Sequence, residues 1–429
     1  MVDISIIALS TNQLLHFFFG LSALLISAHV FGYLFARSKL PRVVGEIVGG
    51  IVLGPTLIGF LLPDAYSFLF NAFSSEGQLL ALVYELGLML LMFVAGFEIQ
   101  KTFDKKDGRI IGTLIACTTI IPLVAGWLLF SVYNFSFLLG SAQNLLALQI
   151  VFATSIAVTS IPVISKIFMD LGLENTRFAK IVLGSATAHD TVLYTGLAVA
   201  TGIVTAATVT TYSIGLVILT TILFFVISLT IVSRILKLVS NSRYNLLRKA
   251  SRSGYLLSIL FLFAAVSLFV GVNVMFGAFL AGICVGLLHE DSFKQDKASI
   301  REVGMALFIP FYFAVVGLQL DLIHNFDIPF FIAFLLVSSI LQMLGTFVAS
   351  LLLKLNKSST VNLAIVMNAR GGQGIVLATT AFSLGIINAN FLVTLVMSAI
   401  ATSLLAGWWL SKRSQNKEEL ITFSNPAVS

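Results

Sequence analysis

Charge is what this chain has least of: 10% of its 429 residues are Asp, Glu, Lys or Arg, against 58% hydrophobic. With a mean hydropathy of +1.03, the composition cannot clothe a soluble fold of this size and points to a polytopic membrane protein. Cysteine is also scarce. Cys117 and Cys284 both fall inside apolar runs, where small buried hydrophobes are expected and a disulfide or thiolate metal site is not. No glycine-rich phosphate loop occurs, so no coupling to ATP and no cofactor is implied. The opening residues MVDISIIALS lack a basic n-region and a small-residue cleavage site, so the first span, about residues 14 to 35, is expected to stay in the mature protein. The net charge of +6 does not imply nucleic acid, because the charges sit in short loops rather than on one folded face.

What is present is a succession of apolar runs, each about 20 residues long, the length needed to cross a bilayer. About thirteen can be read, starting near residues 14, 43, 78, 109, 145, 179, 212, 254, 273, 302, 328, 358 and 389. With the N-terminus outside, 24 of the 25 basic residues fall on one side, six of them between Arg234 and Arg252. The positive-inside rule makes that side cytoplasmic. An odd number of spans then puts the C-terminus inside, with a transmembrane domain over residues 1–411 and a short polar tail over 412–429. No soluble regulatory domain is expected in that tail.

The remaining basic residue is Arg370, near the middle of a span, and Asp190 is the other ionisable group at depth. A charge near the bilayer centre costs about 2.5–3.5 kcal/mol on insertion scales, so such groups face a partner or a polar cavity and mark function by default. Two spans also contain sequences unsuited to a continuous helix. Asn368-Ala-Arg-Gly-Gly-Gln-Gly374 interrupts the twelfth with poor helix formers, and Ala153-Thr-Ser-Ile-Ala-Val-Thr-Ser-Ile-Pro162 ends in a proline in the fifth. Breaks at equivalent places in two oppositely directed spans indicate inverted repeats around a midplane site. A cation there needs oxygen ligands and a negative charge, and Asp190 supplies the charge.

Several stretches resemble the second monovalent cation/proton antiporter family, within the sodium/hydrogen exchanger superfamily. Lys39-Leu-Pro-Arg-Val-Val-Gly-Glu-Ile-Val-Gly-Gly-Ile-Val-Leu-Gly-Pro55 is similar to its second-span signature, and Glu85-Leu-Gly-Leu-Met-Leu-Leu-Met-Phe-Val-Ala-Gly-Phe-Glu98 to its third. Gly277-Ala-Phe-Leu-Ala-Gly282 and Phe308-Ile-Pro-Phe-Tyr-Phe-Ala-Val-Val-Gly-Leu-Gln-Leu-Asp321 follow in the same order. The resemblance implies an all-α fold of thirteen helices and inverted repeats, with spans 5 and 12 discontinuous and crossed. It also implies a core domain (helices about 109–207 and 328–411), a separate dimerisation domain, a homodimer, and a bacterial inner (plasma) membrane.

By the same resemblance Asp190, in the sixth span, is the cation-binding and proton-carrying acid. Two departures stand out. His189 occupies the place of a second acid, and Gln342 the place of a lysine in the eleventh span. With both charges missing, the resemblance favours electroneutral, one-for-one exchange of a monovalent cation (Na⁺ or K⁺) for protons. The hydroxyls of Thr154, Ser155, Thr159 and Thr191, with carbonyls freed by the breaks, are expected to complete the shell around the ion.

His189 reads either as a pH-sensing group, its ordinary pKa lying near 6.5, or as a neutral imidazole bonded within the core. Adjacent helix positions point about 100° apart, which favours the second. Arg370 reads as a structural counter-charge to an acid such as Glu85 or Glu98, or as a fixed charge tuning Asp190. Gly45, Gly49 and Gly50 read as a close helix-packing face, with a dimer contact as one use. Other classes stay open: a potassium efflux channel-like protein and a proton-coupled carrier of an organic solute. An enzyme is not expected, since only His189 beside Asp190 approaches a nucleophile–base pair.

Overall fold

A computed structural model describes residues 9–38, 40–98, 107–160, 163–164, 167–168, 171–173, 176–205, 211–272, 274–288, 290–415 and 420–422. They are almost entirely helical, and an isolated β-bridge joins Leu139 and Ile387. Nine of the described helical stretches are long and apolar enough to cross a membrane, and three shorter apolar helices accompany them. The helices begin close to the expected positions, at Thr11, Arg42, Glu76, Gly108, Leu145, Arg177, Thr211, Arg252, Val274, Ile328, Lys357 and Ala389. The tenth expected span differs. Its helix starts at Glu290, and its polar first turns, through Glu302, precede a π turn at Gly304–Phe308 and the apolar Ile309–Leu318.

The chain divides into two compact units. The first comprises residues 1–38, 42–88 and 303–324. Its leading helix, Thr11–Arg37, starts with a reciprocal cap: Ser10 Oγ accepts from Gln13 N–H, and the Ser10 N–H donates to Gln13 Oε1 at 2.9 Å. The following helix, Arg42–Leu53, approaches its neighbours through glycine. A Cβ at Gly45 or Gly49 would strike the backbone of Phe31 or Ser27, and one at Gly50 the carbonyl of Ala314. Ser27 Oγ reinforces the contact by donating to the Gly49 carbonyl at 2.8 Å. These three glycines therefore serve packing inside one chain, and that face is already occupied rather than open to a second copy. Beside it, buried Glu46 pairs with Arg42 at 3.1 Å.

The second unit comprises residues 39–41, 89–302 and 325–429 and holds both interrupted helices. Asn144 caps Leu145–Ile156 by accepting the Ala147 N–H. That helix ends at Ile156 and residues 158–160 are not helical, while Pro162 lies outside the described residues. In the twelfth span, Lys357–Met367 stops at Asn368 and a new helix, Gly371–Ser383, starts where Gly371 takes φ +39°. A residue with a Cβ is disfavoured in that left-handed region. At their far ends the two interrupted helices are tied by antiparallel backbone bonds: Gly140 N–H to Ile386, Ala142 N–H to Gly385 and Asn388 N–H to Leu138.

The tail is anchored as well. Leu420 is buried in an apolar cluster with Phe168, Leu355, Leu363 and Leu410. Thr422 N–H donates to Ser359 Oγ at 2.7 Å, and Asn362 Nδ2 donates to the Leu420 carbonyl at 3.1 Å.

Candidate functional site around the two helix interruptions

The two interruptions meet. Ser160 N–H donates to the Ala369 carbonyl at 2.7 Å, and Thr159 Oγ1 donates to the Met367 carbonyl. These backbone groups lack helical partners because each helix stops there. Joining them satisfies the orphans, which water would otherwise have to reach at membrane depth.

His189 bridges this knot to a third helix. Its Nδ1 lies 2.9 Å from Thr159 Oγ1, and its Nε2 lies 2.8 Å from Thr118 Oγ1 in the Gly108–Val132 helix. Thr118 already donates its own proton to the Leu114 carbonyl at 2.6 Å. A neutral ring carries one N–H, so the consistent arrangement has Nε2–H donating to Thr118 and Thr159 turning its hydroxyl proton to Nδ1. Met367 is not orphaned by that turn, because Gln342 Nε2 donates to the same carbonyl at 3.2 Å. The imidazole is thus held between two neutral hydroxyls, the bonded-core arrangement, and it is 1% exposed.

Gln342 is fully buried and spans both interruptions, its amide also lying 3.4 Å from Thr159 Oγ1. Where the resemblance expects a lysine, this chain has a neutral side chain stitching backbone. Its Oε1 has no partner among the described residues, and neither do Ser160 Oγ and Asn368 Oδ1. Oxygen lone pairs therefore remain available around the knot.

Arg370 caps the Gly371–Ser383 helix and is 2% exposed. Its Nη1 donates to Ser338 Oγ at 2.7 Å, its guanidinium lies 5.8 Å from the centre of the Phe334 ring, and its N–H donates to Thr402 Oγ1. It forms no ion pair among the described residues, and Nε and Nη2 have no partner there. Among the described residues its side-chain contacts are a hydroxyl and an aromatic face; the side chain of Glu98, one of the two expected partners, lies outside them. Its positive charge sits at a helix N-terminus, where the macrodipole adds to it rather than cancelling it.

Of the expected ligands, Thr154, Ser155 and Thr159 are buried. Ser155 Oγ donates to the Phe152 carbonyl, and Thr154 packs against Gly196 of the Arg177–Thr205 helix. Asp190 and Thr191 belong to that helix by their backbone, and their side chains lie outside the described residues. Three contributors had no distinctive signal in the sequence: Thr118, the Asn368–Ser339 bond at 3.0 Å, and the Tyr194 hydroxyl that donates to Gln373. Thr118, Ser339 and Tyr194 lie in largely apolar stretches, and only the fold gives each its partner.

Known proteins resemble this chain in sequence and in fold. The chain is 25% identical to the Na⁺/H⁺ antiporter NhaS4 of Synechocystis over 92% of its length and 97% of that protein's. It is 25% identical to the Na⁺/H⁺-K⁺ antiporter GerN of Bacillus cereus, over 91% and 94%. It is 27% identical to K⁺/H⁺ antiporter 1 of Saccharomyces cerevisiae, covering 46% of that longer protein. Its fold matches the sodium proton antiporter MjNhaP1 of Methanocaldococcus jannaschii with a TM-score of 0.66 at 14% identity, over 94% of this chain and 99% of that one. Residues 24–412 match the family described as sodium/hydrogen exchanger, transmembrane, and the chain belongs to that family as a multi-pass helical membrane protein.

Proposed function

We propose that the protein exchanges a monovalent cation, Na⁺ or K⁺, for protons, and that one carboxylate, Asp190, binds the two in competition. The observation that carries this reading is the joining of the helix interruptions, Ser160 to Ala369, next to His189, the residue immediately before Asp190. Interrupted helices supply carbonyls and dipole ends that can coordinate a dehydrated ion, which a continuous helix cannot. Thr154, Ser155, Thr159 and Thr191 complete the oxygen shell, and Arg370 is a fixed charge that anchors the twelfth-span break.

Coupling needs little more than alternation. If the carrier reorients only when Asp190 is neutralised by a proton or a cation, a gradient of either drives the other in the opposite direction. With His189 held between hydroxyls and Gln342 in place of a cationic side chain, one charge enters for each that leaves, so exchange is electroneutral. The N-terminus lies outside, the C-terminus inside, and the working protein is a homodimer in a bacterial plasma membrane.

The test is recovery of a pH-dye signal in proteoliposomes with a preset acid interior after Na⁺, K⁺ or Li⁺ is added. Wild type should dissipate the gradient with at least one of these ions, and Asp190→Asn should not. Undiminished exchange in the variant would end the proposal. Charge movement following the cation gradient on a solid-supported membrane would leave exchange standing but remove electroneutrality.

A further inference from the structure

The Arg177–Thr205 helix meets the two interrupted spans on two different sides. Toward the fifth, His189 reaches Thr159 at 2.9 Å, and a Cβ on Gly196 would stand 2.9 Å from Thr154 Oγ1. Toward the twelfth, the Tyr194 hydroxyl donates to Gln373 Oε1, in the first turn of Gly371–Ser383. With about 100° between successive helix positions, position 190 falls inside the arc from His189 to Tyr194, about 100° from the first and about 40° from the second. Residues four apart on a helix stand about 5–6 Å from each other at Cβ, and a long side chain leans over the preceding turn. Tyr194 accordingly covers the turn that carries position 190, on the side where the Gly371–Ser383 helix begins.

Both side chains of this pair are buried, Tyr194 at 1% exposure and Gln373 at 0%. The phenol ring packs on Phe279, with the ring centres 4.8 Å apart. Phenylalanine would supply the same packing, so the hydroxyl answers to polar neighbours alone. A hydroxyl has one proton and two lone pairs. With the proton committed to Gln373, the oxygen meets any further group as an acceptor, which is the role a cation requires of a ligand.

Resting on the reading of Asp190 as the ion-binding acid, the geometry points to Tyr194 as a further, neutral oxygen ligand that sets the preference among monovalent cations, with Gln373 as the residue that positions it. Selectivity among such ions follows the number and field strength of the oxygens around them. A small ion such as Li⁺ or Na⁺ gives up more hydration than K⁺ or Rb⁺ and gains more from each oxygen, so losing one ligand penalises the small ion more. Gln373 holds the hydroxyl proton away from the ion. Without that acceptor the proton can turn toward the site and oppose the positive charge.

The test is the cation dependence of the initial exchange rate of the full chain in proteoliposomes at fixed pH, with Li⁺, Na⁺, K⁺ and Rb⁺ in turn. For any two ions that wild type exchanges or binds as competitors, Tyr194→Phe should raise the KM or inhibition constant of the smaller about tenfold and that of the larger about threefold or less. Gln373→Met should shift the ratio of the two constants in the same direction. The decisive variant is Tyr194→Phe/Gln373→Met, in which both hydrogen-bonding partners become apolar groups of similar shape and the fold loses little. It should keep the shifted ratio of Tyr194→Phe at the wild-type melting temperature, the Gln373 change adding nothing further. Return of the ratio to the wild-type value would show that the pair only joins two helices, and would overturn the assignment. So would an unchanged ratio in folded Tyr194→Phe while Asp190→Asn remains inactive. Undiminished exchange in Asp190→Asn would instead remove the underlying reading, and this inference with it.

Discussion

Ser160 donates its backbone N–H to the carbonyl of Ala369 at 2.7 Å, and Gly371, two residues on, closes against the same serine. A Cβ on Gly371 would stand 2.7 Å from Ser160 Oγ and 2.5 Å from Val163 Cγ2, at φ +39°. Gly371→Ala should therefore destabilise the purified protein by about 1–3 kcal/mol. Gly374→Ala is the comparison, because its Cβ would meet only Arg370 Cβ at 3.2 Å and Ala399 Cβ at 3.7 Å. Thermal unfolding in detergent should lower the first variant's midpoint clearly more than the second's.

The Thr118–His189 contact is expected to be energetically real. Thr118→Val removes the hydroxyl that faces Nε2 and leaves a buried imidazole with one partner, at a cost of about 1–3 kcal/mol. His189→Gln and Thr118→Val should then be non-additive in a double-mutant cycle, with a coupling of about 0.5–3 kcal/mol. Strict additivity would mean that the ring does not depend on Thr118.

Ser338 Oγ accepts from Arg370 Nη1 at 2.7 Å. Ser338→Ala should leave Nη1 without a partner in a dry environment and destabilise by about 1–3 kcal/mol, more than a surface Ser→Ala change. Arg370→Ala should reduce the yield of folded protein. Arg370→Lys should not restore it, since an ammonium lacks the planar face that lies over Phe334. A well-folded Arg370→Ala with altered apparent cation affinity would instead assign the arginine to tuning the ion site.

The anchored tail predicts a stability effect remote from the ion site. Leu420 is 7% exposed, so Leu420→Ala should cost about 2 kcal/mol or more. Asn362→Leu should also destabilise, because Asn362 uses both ends of its amide, donating to Leu420 and accepting from Trp409 Nε1 at 3.0 Å. Differential scanning fluorimetry of both variants checks this.

How far the sequence revealed these features follows from where their determinants lie. Helix starts were legible because membrane spans announce themselves locally, through apolar length and flanking charge. The break at Asn368–Arg370 was legible for the same reason: three glycines and an arginine in seven residues cannot continue an apolar helix. The entry to the tenth span was not, because Glu290–Val303 is amphipathic and its polar turns read as loop. Partner choice was harder still. Arg370 carries a charge that suggests an acid, yet the fold puts Ser338 and Phe334 against it. Thr118 and His189 are brought together by the packing of two helices, and nothing in either segment names the other. Gly45, Gly49 and Gly50 show the same limit: close packing was evident, but which helix they meet was decided only in three dimensions.

The central claim is that a proton and a cation compete for Asp190. Its most direct test is initial exchange rate as a function of cation concentration, measured in proteoliposomes over a series of symmetrical pH values. On the acid limb, single-site competition predicts an apparent KM for the cation that rises about tenfold per pH unit at unchanged maximal rate, with Asp190→Asn inactive throughout. An apparent KM that stays flat while the maximal rate falls would contradict competition at one carboxylate.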